Sequence, residues 1–424
     1  MSHLKDNRWE RAQFYLWLAI AGISLGWGFV TALKPEHSQD LKIIGNWMRT
    51  WLWQGSSPYY LPDLIVANYP PHGIVALSPV ALIPEAWVAV VWALFNLAIA
   101  PLVGYLAFRV LKPEAPARAA LLPCAMFLAW AGLRTGIGNG QFTLLILGLG
   151  LLAYHFEEKR PLLGGLFLAL ALSKPHIGGA FLLWALFTKR WRMTLVACVL
   201  MGLGVGIYAL RVGESPFESV RAFLVVLQHQ FGAGSLVRQG SMALRVVESR
   251  PLVALIIHQE AWVDRINQLL LLVLLGCAAL VGLIKSKLSP AQRDAAVLGL
   301  CCLWVLMSVF HNPYDTILLL PLLASLWWVC VPHPSRSKQW LDQTALWVLQ
   351  LAMVVELPAV WWKLSKTTDL SAFNWAGVLL SNFDRLLVLG LFVYLLNRVR
   401  LYWLAGREPS GASEMLAQPS TPNS

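Results

Sequence analysis

The sequence predicts an all-α, polytopic integral membrane protein, and two observations carry that prediction. Of its 424 residues, 58% are hydrophobic and 13% are charged, whereas a soluble globular domain has about 25% charged residues. The apolar residues also stand in long blocks between short polar links, without the period-two alternation that a membrane barrel needs. Each block is therefore predicted to be a helix, because lipid offers no hydrogen-bond partner to open backbone groups.

The formal net charge of +11 bears on the expected partners. In a soluble protein such a charge suggests nucleic acid. In a chain this apolar, we interpret it as an excess of basic residues in cytoplasmic loops and as attraction to anionic lipid. Membrane lipids are therefore expected partners, and nucleic acid is not.

The chain is predicted to form about 12 transmembrane helices with both termini in the cytoplasm. The first crossing, 14–32, carries no charge and follows Lys5, Arg8 and Arg11, which indicates a cytoplasmic N-terminus. The segment 74–83 is too short for an ordinary crossing and is predicted to be re-entrant or a short tilted helix. The remaining crossings are predicted at 86–108, 119–133, 142–156, 161–173, 177–188, 193–210, 266–284, 295–310, 315–331, 342–361 and 382–397.

Residues 1–404 are predicted to form a single multi-pass domain of the cytoplasmic (inner) membrane, followed by a disordered cytoplasmic tail at 405–424. The distribution of Lys and Arg places a long loop, 213–263, on the outer side. It places four further polar segments there, at 34–71, 134–141, 173–176 and 311–315. We expect these segments to gather into one extracytoplasmic site.

Asp40 is an acid in the first outer loop, 33–71, which also contains aromatic residues and Pro70-Pro71. One interpretation is a general base that takes the proton of an attacking hydroxyl group. The other is a solvated loop acid or a helix N-cap. Asp63 is a weaker candidate in the same loop.

Lys174 lies between two apolar runs, 162–172 and 177–187. A cation at such a depth is costly and indicates function. With Pro175 and His176 beside it, it predicts an anion-binding turn. The alternative is an interfacial lysine whose ammonium group reaches water.

His311 interrupts a long apolar stretch from 295 to 331. A neutral histidine accepts a hydrogen bond, and a protonated one holds a phosphate. The alternative is a plain interhelical turn, in which Asn312-Pro313 interrupts the helix.

The segment 136–141 is rich in glycine, which lets the backbone approach a ligand closely. It is not a dinucleotide-binding motif, since no strand precedes it. Arg134 beside it can clamp a phosphate or serve a structural role at a helix end.

Trp47, Trp51 and Trp53 stand in the first outer loop. They fit an interfacial aromatic belt, stacking on sugar faces, or an amphipathic helix that lies on the membrane. The sequence leaves these three interpretations open.

In order and spacing, these residues resemble the GT-C superfamily of polytopic glycosyltransferases, and within it glycosyltransferase family 87. The resemblance covers most of residues 10–400. The segments that carry it are Asp40, 55–59, 69–71, Pro79, Pro84, 92–96, Gly140-Gln141, Lys174-Pro175 and 311–315.

The resemblance implies a GT-C type helical bundle with its active site in extracytoplasmic loops. It implies a lipid-linked sugar donor, typically polyprenyl-phosphate mannose, and an inverting transfer that uses no metal and no cofactor. Asp40 matches the position of the catalytic base, and His311 matches a histidine that assists.

An inverting displacement needs only one base, because the phosphate leaves unprotonated, whereas glycosidases use paired carboxylates. Without a metal, fixed cations must hold the leaving phosphate. The residues expected to hold it are Lys174, Arg134, His176 and Arg238, with Arg245 as an alternative to Arg238. The residues expected to contact the substrates are Tyr59, Tyr69, Asn139, Gln141, Tyr314 and Asp315.

The predicted function is transfer of a hexose, mannose by preference, from a polyprenyl-phosphate donor to a lipid or glycan acceptor outside the cytoplasmic membrane. The alternatives are a transporter or flippase for a lipid-linked sugar, a non-catalytic membrane scaffold, and a GT-C transferase of another sugar, such as an aminosugar to lipid A. A transporter favours paired broken helices in internal repeats, and the sequence shows none clearly.

Overall fold

The computed structural model describes residues 8–34, 36–60, 66–111, 115–231, 249–257, 259–283, 288–308, 312–329, 336–355 and 382–405. Within these ranges every regular element is helical and no strand occurs, which confirms the all-α prediction for this part of the chain. The α-helices are α1 (Arg8–Ala32), α2 (Gln39–Arg49), α3 (Pro71–Leu77), α4 (Glu85–Leu111), α5 (Leu121–Leu128), α6 (Ala131–Asn139), α7 (Thr143–Phe156), α8 (Pro161–Ala171), α9 (Pro175–Phe187), α10 (Trp191–Val212), α11 (Pro216–Phe231), α12 (Arg250–Ile256), α13 (Glu260–Leu283), α14 (Pro290–Ser308), α15 (Leu320–Val329), α16 (Arg336–Val355) and α17 (Phe383–Ala405). A π-helical turn at Thr50–Gln54 and 3-10 helices at Ser78–Leu82, Ala117–Ala120 and Pro313–Leu319 connect several of them.

Five of the described helices are long and apolar enough to cross a membrane, or six if the bent pair Ala117–Leu128 and Ala131–Asn139 counts as one. The predicted count of about 12 is not confirmed. Several predicted crossings are shorter apolar helices, such as α7, α8 and α9. A helix of about 14 residues is ~21 Å long, whereas the hydrocarbon core is about 30 Å thick.

Helix α14 lies at the centre of the bundle. Inside its most apolar window 72% of the residues are buried, compared with 17% to 33% in the other four long helices. Those four expose large apolar side chains, among them Trp27, Leu203 and Leu272. Exposed apolar surface of this extent is typical of contact with lipid.

The loop 33–71 contains the amphipathic helix α2, and an amphipathic helix was one of the three interpretations that the tryptophan spacing left open. Its apolar side chains at Leu41, Ile44 and Met48 are buried in the protein. Trp47 and Trp51 are buried as well, while Trp53 is 59% exposed. The helix therefore packs its apolar face against protein, and two of the three tryptophans are closed to both lipid and sugar.

The segment 134–141 was expected to be a polar connection between the crossings 119–133 and 142–156, and the structure corrects this for most of its length. Residues through Asn139 belong to α6, which ends at Gly140. Glycine has a low helix propensity, but in α6 its lack of a side chain lets neighbouring elements pack closely, and this packing favours the helix. A Cβ at Gly132 would lie 2.5 Å from Thr316 Oγ1, and one at Gly138 would lie 2.9 Å from Thr31 Cγ2.

Helix α9 packs against both α7 and α14, and these helices connect two polar ends of the bundle. At one end α7 begins at Thr143 and α9 begins at Pro175. At the other end Arg190 forms ion pairs with Glu157 at 3.0 Å and with Asp294 at 2.5 Å. The end of the bundle at which α7 and α9 begin holds the site residues that the sequence predicted.

Candidate active site

Asp40 lies in the first turn of α2, one residue after the helix begins at Gln39. The N-cap is Ser38, which adopts φ 58° and ψ 23°. Its hydroxyl donates to the carbonyl of Ala32, and its backbone N–H donates to the carbonyl of Gly138. Asp40 is therefore not the N-cap residue, and the start of α2 is tied to both α1 and α6.

Gly140 brings α2 against the end of α6. It adopts φ +72°, a left-handed conformation that glycine tolerates without steric cost. A Cβ here would lie 2.5 Å from the Cβ of Leu41. The absence of a side chain lets Gln141, the next residue, stand beside Asp40.

Gln141 connects the acid to the cation. Its side-chain Nε2 donates to Asp40 Oδ2 at 2.5 Å, and its Oε1 accepts from Lys174 Nζ at 3.0 Å. Its backbone carbonyl accepts from Trp92 Nε1 at 3.3 Å. Both the nitrogen and the oxygen of this buried carboxamide are therefore hydrogen-bonded.

Lys174 occupies the turn between α8 and α9 and is 2% exposed, so its ammonium group does not reach water as an interfacial lysine would. It donates to three acceptors: Gln141 Oε1, Thr143 Oγ1 at 2.6 Å and Asp315 Oδ1 at 3.2 Å. The ring of Tyr314 lies 5.2 Å from the ammonium nitrogen. A buried cation needs compensation of this kind.

Asp315 neutralises Lys174 from the 3-10 helix Pro313–Leu319. It is 2% exposed. Its Oδ1 also accepts from the Thr143 hydroxyl at 2.8 Å, and its Oδ2 accepts from the backbone N–H of Asn312 at 3.3 Å. His176 Nε2 lies 3.7 Å from the same Oδ2.

The cluster thus holds one ammonium group between two carboxylates. Burial raises the pKa of Asp40 above its ordinary value. The hydrogen bond from Gln141 and the charge of Lys174 lower this pKa, while the charge of Asp315 raises it. The opposing contributions leave a carboxyl group that accepts a proton more readily than a solvated aspartate.

Tyr59 and Tyr69 form an aromatic wall of the same region, and both are buried. The Tyr59 hydroxyl donates to the backbone carbonyl of Tyr69 at 2.6 Å. The ring of Tyr69 contacts Trp47 and Phe142 edge-on. Burial, then the charges of Asp315 and Asp40, raise the pKa of Tyr69, so its hydroxyl stays protonated.

The structure brings together most of the sequence-predicted site residues that it describes. His176 is half-buried beside Asp315, Tyr314 packs under Lys174, and Asn139 ends α6 next to the Gly140 turn. Arg134 is placed differently. Its backbone and Cγ face Gly28 of α1, whereas Gly132 and Gly136 of the same helix face the 3-10 helix.

Four sequence candidates lie outside the described residues: His311, Arg238, Arg245 and Asp63. Their predicted roles stay predictions. Among the residues that the structure does describe, no three His, Cys, Asp or Glu side chains are grouped as a metal ion would need.

The sequence assigned no role in the site to Thr143, and it treated Asn312 only as part of the Asn312-Pro313 breaker. Thr143 begins α7, donates to Asp315 and accepts from Lys174. Asn312 forms a capping box with Asp315 and donates to the Tyr314 hydroxyl at 2.7 Å. The only local signals were Thr143 at the start of an apolar run and the Asn-x-x-Asp spacing, and both are common.

An acid, an amide, a lysine and a second acid from four separate chain segments meet at one end of a membrane-embedded helical bundle. Buried and partly exposed groups with an altered pKa in such a cluster mark a candidate active site. The fold and this cluster together define a helical membrane protein with a candidate active site.

The chain belongs to glycosyltransferase family 87, whose family model matches residues 68–310, more than half of its length. It is therefore a glycosyltransferase. No curated protein and no solved structure matches it. Asp40 and Asp315 lie outside the matched range, yet both contact residues inside it, Gln141 and Lys174.

Proposed function

We propose that this glycosyltransferase moves a hexose, specifically mannose, from a polyprenyl-phosphate donor to a hydroxyl group of a lipid or glycan acceptor on the extracytoplasmic face. The observation that carries the proposal is the link from Asp40 through Gln141 to the Lys174–Asp315 pair. It joins one partly exposed base to a buried, fixed charge pair.

Asp40 is the general base in this proposal. The acceptor oxygen attacks the anomeric carbon of the donor sugar and passes its proton to Asp40. The bond between that carbon and the phosphate oxygen breaks, and polyprenyl phosphate leaves with the bonding electrons. A base with a pKa nearer to neutral accepts a proton more effectively, and burial moves the pKa of Asp40 in that direction.

The donor phosphate binds near the starts of α7 and α9, which meet at Thr143 and Lys174. Helix N-termini favour negative charge. His176, in the first turn of α9, has a 32% exposed side chain and supplies the contact nearest to the surface, which is cationic when the imidazole is protonated. Lys174 contributes mainly through its field, because its three hydrogens already have acceptors in the protein.

The polyprenyl chain lies along lipid-facing helices in this proposal, and the aromatic residues Tyr59 and Tyr69 border the sugar. The large apolar exposure of the long helices supports a lipid substrate that approaches from the membrane. The acceptor reaches Asp40 from the aqueous side.

The test is an assay of the purified protein in liposomes with radiolabelled polyprenyl-phosphate mannose, glucose and an aminosugar, each offered with a mixture of lipid acceptors. We expect label in a new glycolipid product from the mannose donor. If only the aminosugar donor gave product, the transferred sugar would be an aminosugar and not mannose. Movement of intact donor across the liposome without any product would support a flippase and contradict the proposal.

A further inference from the structure

We propose that Gln141 is a positioning residue, whose carboxamide is oriented by Lys174 and in turn orients the carboxylate of Asp40 toward the acceptor. The inference rests on the proposed role of Asp40 as base. It gives Gln141 a task other than the substrate contact that the sequence suggested.

The orientation of Gln141 follows from the chemistry of its neighbours. The ammonium group of Lys174 has hydrogens to donate and no acceptor, so only Oε1 of Gln141 can face it, at 3.0 Å. The amide Nε2 must then point the other way, and it donates to Asp40 Oδ2. A carboxamide whose two neighbours were both donors or both acceptors could exchange its oxygen and nitrogen by rotating half a turn. Gln141 cannot, because rotation would break both of its hydrogen bonds.

The anchor of this arrangement is rigid. Lys174 is fixed by Thr143 and Asp315, both of them buried. The backbone of Gln141 is fixed by the Gly140 turn and by Trp92. A chain of hydrogen bonds thus transmits the position of the buried ion pair to the partly exposed acid.

The two oxygens of Asp40 are left in different states. Oδ2 accepts from Gln141, whereas Oδ1 has no hydrogen bond to any residue that the structure describes. Since Asp40 is partly exposed, Oδ1 can receive a proton from a bound hydroxyl group. Holding one oxygen and presenting the other gives the base a defined direction, which positioning requires.

The surroundings of Asp40 determine what a pH profile reports. The charges that act on it are Lys174 and Asp315. Helix α2 packs against α3, α4 and α6. The titratable groups on those elements are His72, Glu85, Tyr105, Arg109 and Arg134, and α2 itself adds Lys42 and Arg49. The facing aromatic side adds Tyr59, Tyr69 and Tyr314.

The test is the pH dependence of transfer in Gln141→Met and Gln141→Glu. In the wild type, transfer decreases as the pH falls through the pKa of Asp40, because the protonated acid cannot act as base. Methionine removes the hydrogen bond that favours the charged carboxylate, and glutamate adds a like charge beside it. Both changes should move this acid limb to higher pH by roughly one to two units, with activity partly recovered in alkaline buffer.

Gln350→Met is the matched control, since Gln350 is a fully buried carboxamide that accepts from Trp130 Nε1 at 2.8 Å and is not hydrogen-bonded to Asp40, Gln141, Lys174 or Asp315. Its acid limb should stay where the wild type has it. Folded Gln141 variants with an unshifted acid limb would refute the positioning role and leave Gln141 a packing residue. Since the two replacements differ in charge and shape, either one that folds decides the question.

Asp40→Asn in the same assay separates this inference from the proposed function. Loss of transfer at every pH in Asp40→Asn, together with unshifted Gln141 variants, would overturn only the positioning role. Retained transfer in Asp40→Asn would overturn the base itself.

Discussion

At the scale of single residues, the contacts of Lys174 decide between two roles. A lysine that clamps a substrate phosphate needs hydrogens to offer, whereas this ammonium group donates to Gln141, Thr143 and Asp315. Its immediate effect is to compensate Asp315 and to orient Gln141. A donor phosphate would gain from its field and would have to displace an acceptor to gain a direct bond.

Lys174→Met should therefore damage stability as well as transfer. It leaves the Asp315 carboxylate, 2% exposed, without its partner, and removing one member of a buried ion pair costs about 3 to 5 kcal/mol. We expect a clear drop in melting temperature in detergent and loss of product. Adding Asp315→Asn should restore much of the stability, because the uncompensated charge is gone, without restoring transfer.

The single variant Asp315→Asn is the control, since asparagine can still accept from the backbone of Asn312. If Lys174→Met and the double variant melted at the same temperature, the uncompensated charge of Asp315 would not be the cause of the lost stability. If the double variant transferred sugar at the wild-type rate, Lys174 would have no part in the reaction.

At the scale of elements, the turn between α8 and α9 depends on close backbone contact. A Cβ at Gly178 would collide with the carbonyl of Ala171, so glycine lets the first turn of α9 fold back on the end of α8. On the other side, a Cβ at Gly73 would lie 2.8 Å from the carbonyl oxygen of Ser173. Helices α8, α9 and α3 thereby hold Lys174 in place.

Gly178→Ala should disturb this turn, while Gly179→Ala should not. The first substitution forces backbone atoms apart, at a cost of about 1 to 3 kcal/mol. At Gly179 a Cβ would meet nothing within 4 Å, and alanine in a helix interior is favoured over glycine by roughly 0.5 to 1 kcal/mol. Melting temperature and transfer rate of the two neighbouring variants measure the difference.

We expect Gly178→Ala to lower both quantities and Gly179→Ala to keep or slightly raise the melting temperature. Equal melting temperatures and transfer rates of the two variants would show that the turn tolerates a larger distance between α9 and the end of α8. The position of Lys174 would then depend on its hydrogen bonds alone.

At the scale of the whole molecule, polar groups occupy both ends of the α7–α9–α14 core. One end carries the candidate active site. The other carries Arg190 with Glu157 and Asp294, in a region where Lys159, Arg160 and Lys189 are also found. The basic residues predict that this second end faces the cytoplasm.

Cysteine labelling measures this orientation. In a background where the exposed Cys198 is alanine, we expect Glu36→Cys to react with an impermeant maleimide on intact cells. Lys159→Cys should react only after permeabilisation, because both positions are exposed but lie at opposite ends. The reverse pattern would put the site on the cytoplasmic face and exclude an extracytoplasmic transfer.

Several features of the fold could be predicted from the sequence because they follow from composition and local pattern. Long apolar blocks predicted helices, and the crossings predicted from residues 177 and 315 lie within two residues of the helix starts at Pro175 and Pro313. The number of crossings could not be predicted in the same way. Helices such as α8 and α9 are apolar but short, and hydropathy does not separate a buried short helix from a full crossing.

The candidate site was predictable as a set of unusual residues and not as an arrangement. Asp40 and Lys174 stood out because charge is rare in this chain. Their connection through Gln141 depends on the Gly140 conformation and on packing between residues 101 positions apart. The unexpected helix in the segment 134–141 has the same origin, since its glycines allow close helix packing that only the tertiary structure reveals.

The most direct test of the central claim is the transfer rate of Asp40→Asn, measured with saturating donor at several pH values. A missing general base lowers the rate by about 100-fold to 10,000-fold, so we predict a loss of at least about 100-fold at every pH, with the melting temperature preserved. Asp264→Asn, which alters an ion pair with Arg250, should transfer at close to the wild-type rate. Transfer by folded Asp40→Asn at the rate of the Asp264→Asn control would contradict the claim that this acid is the base.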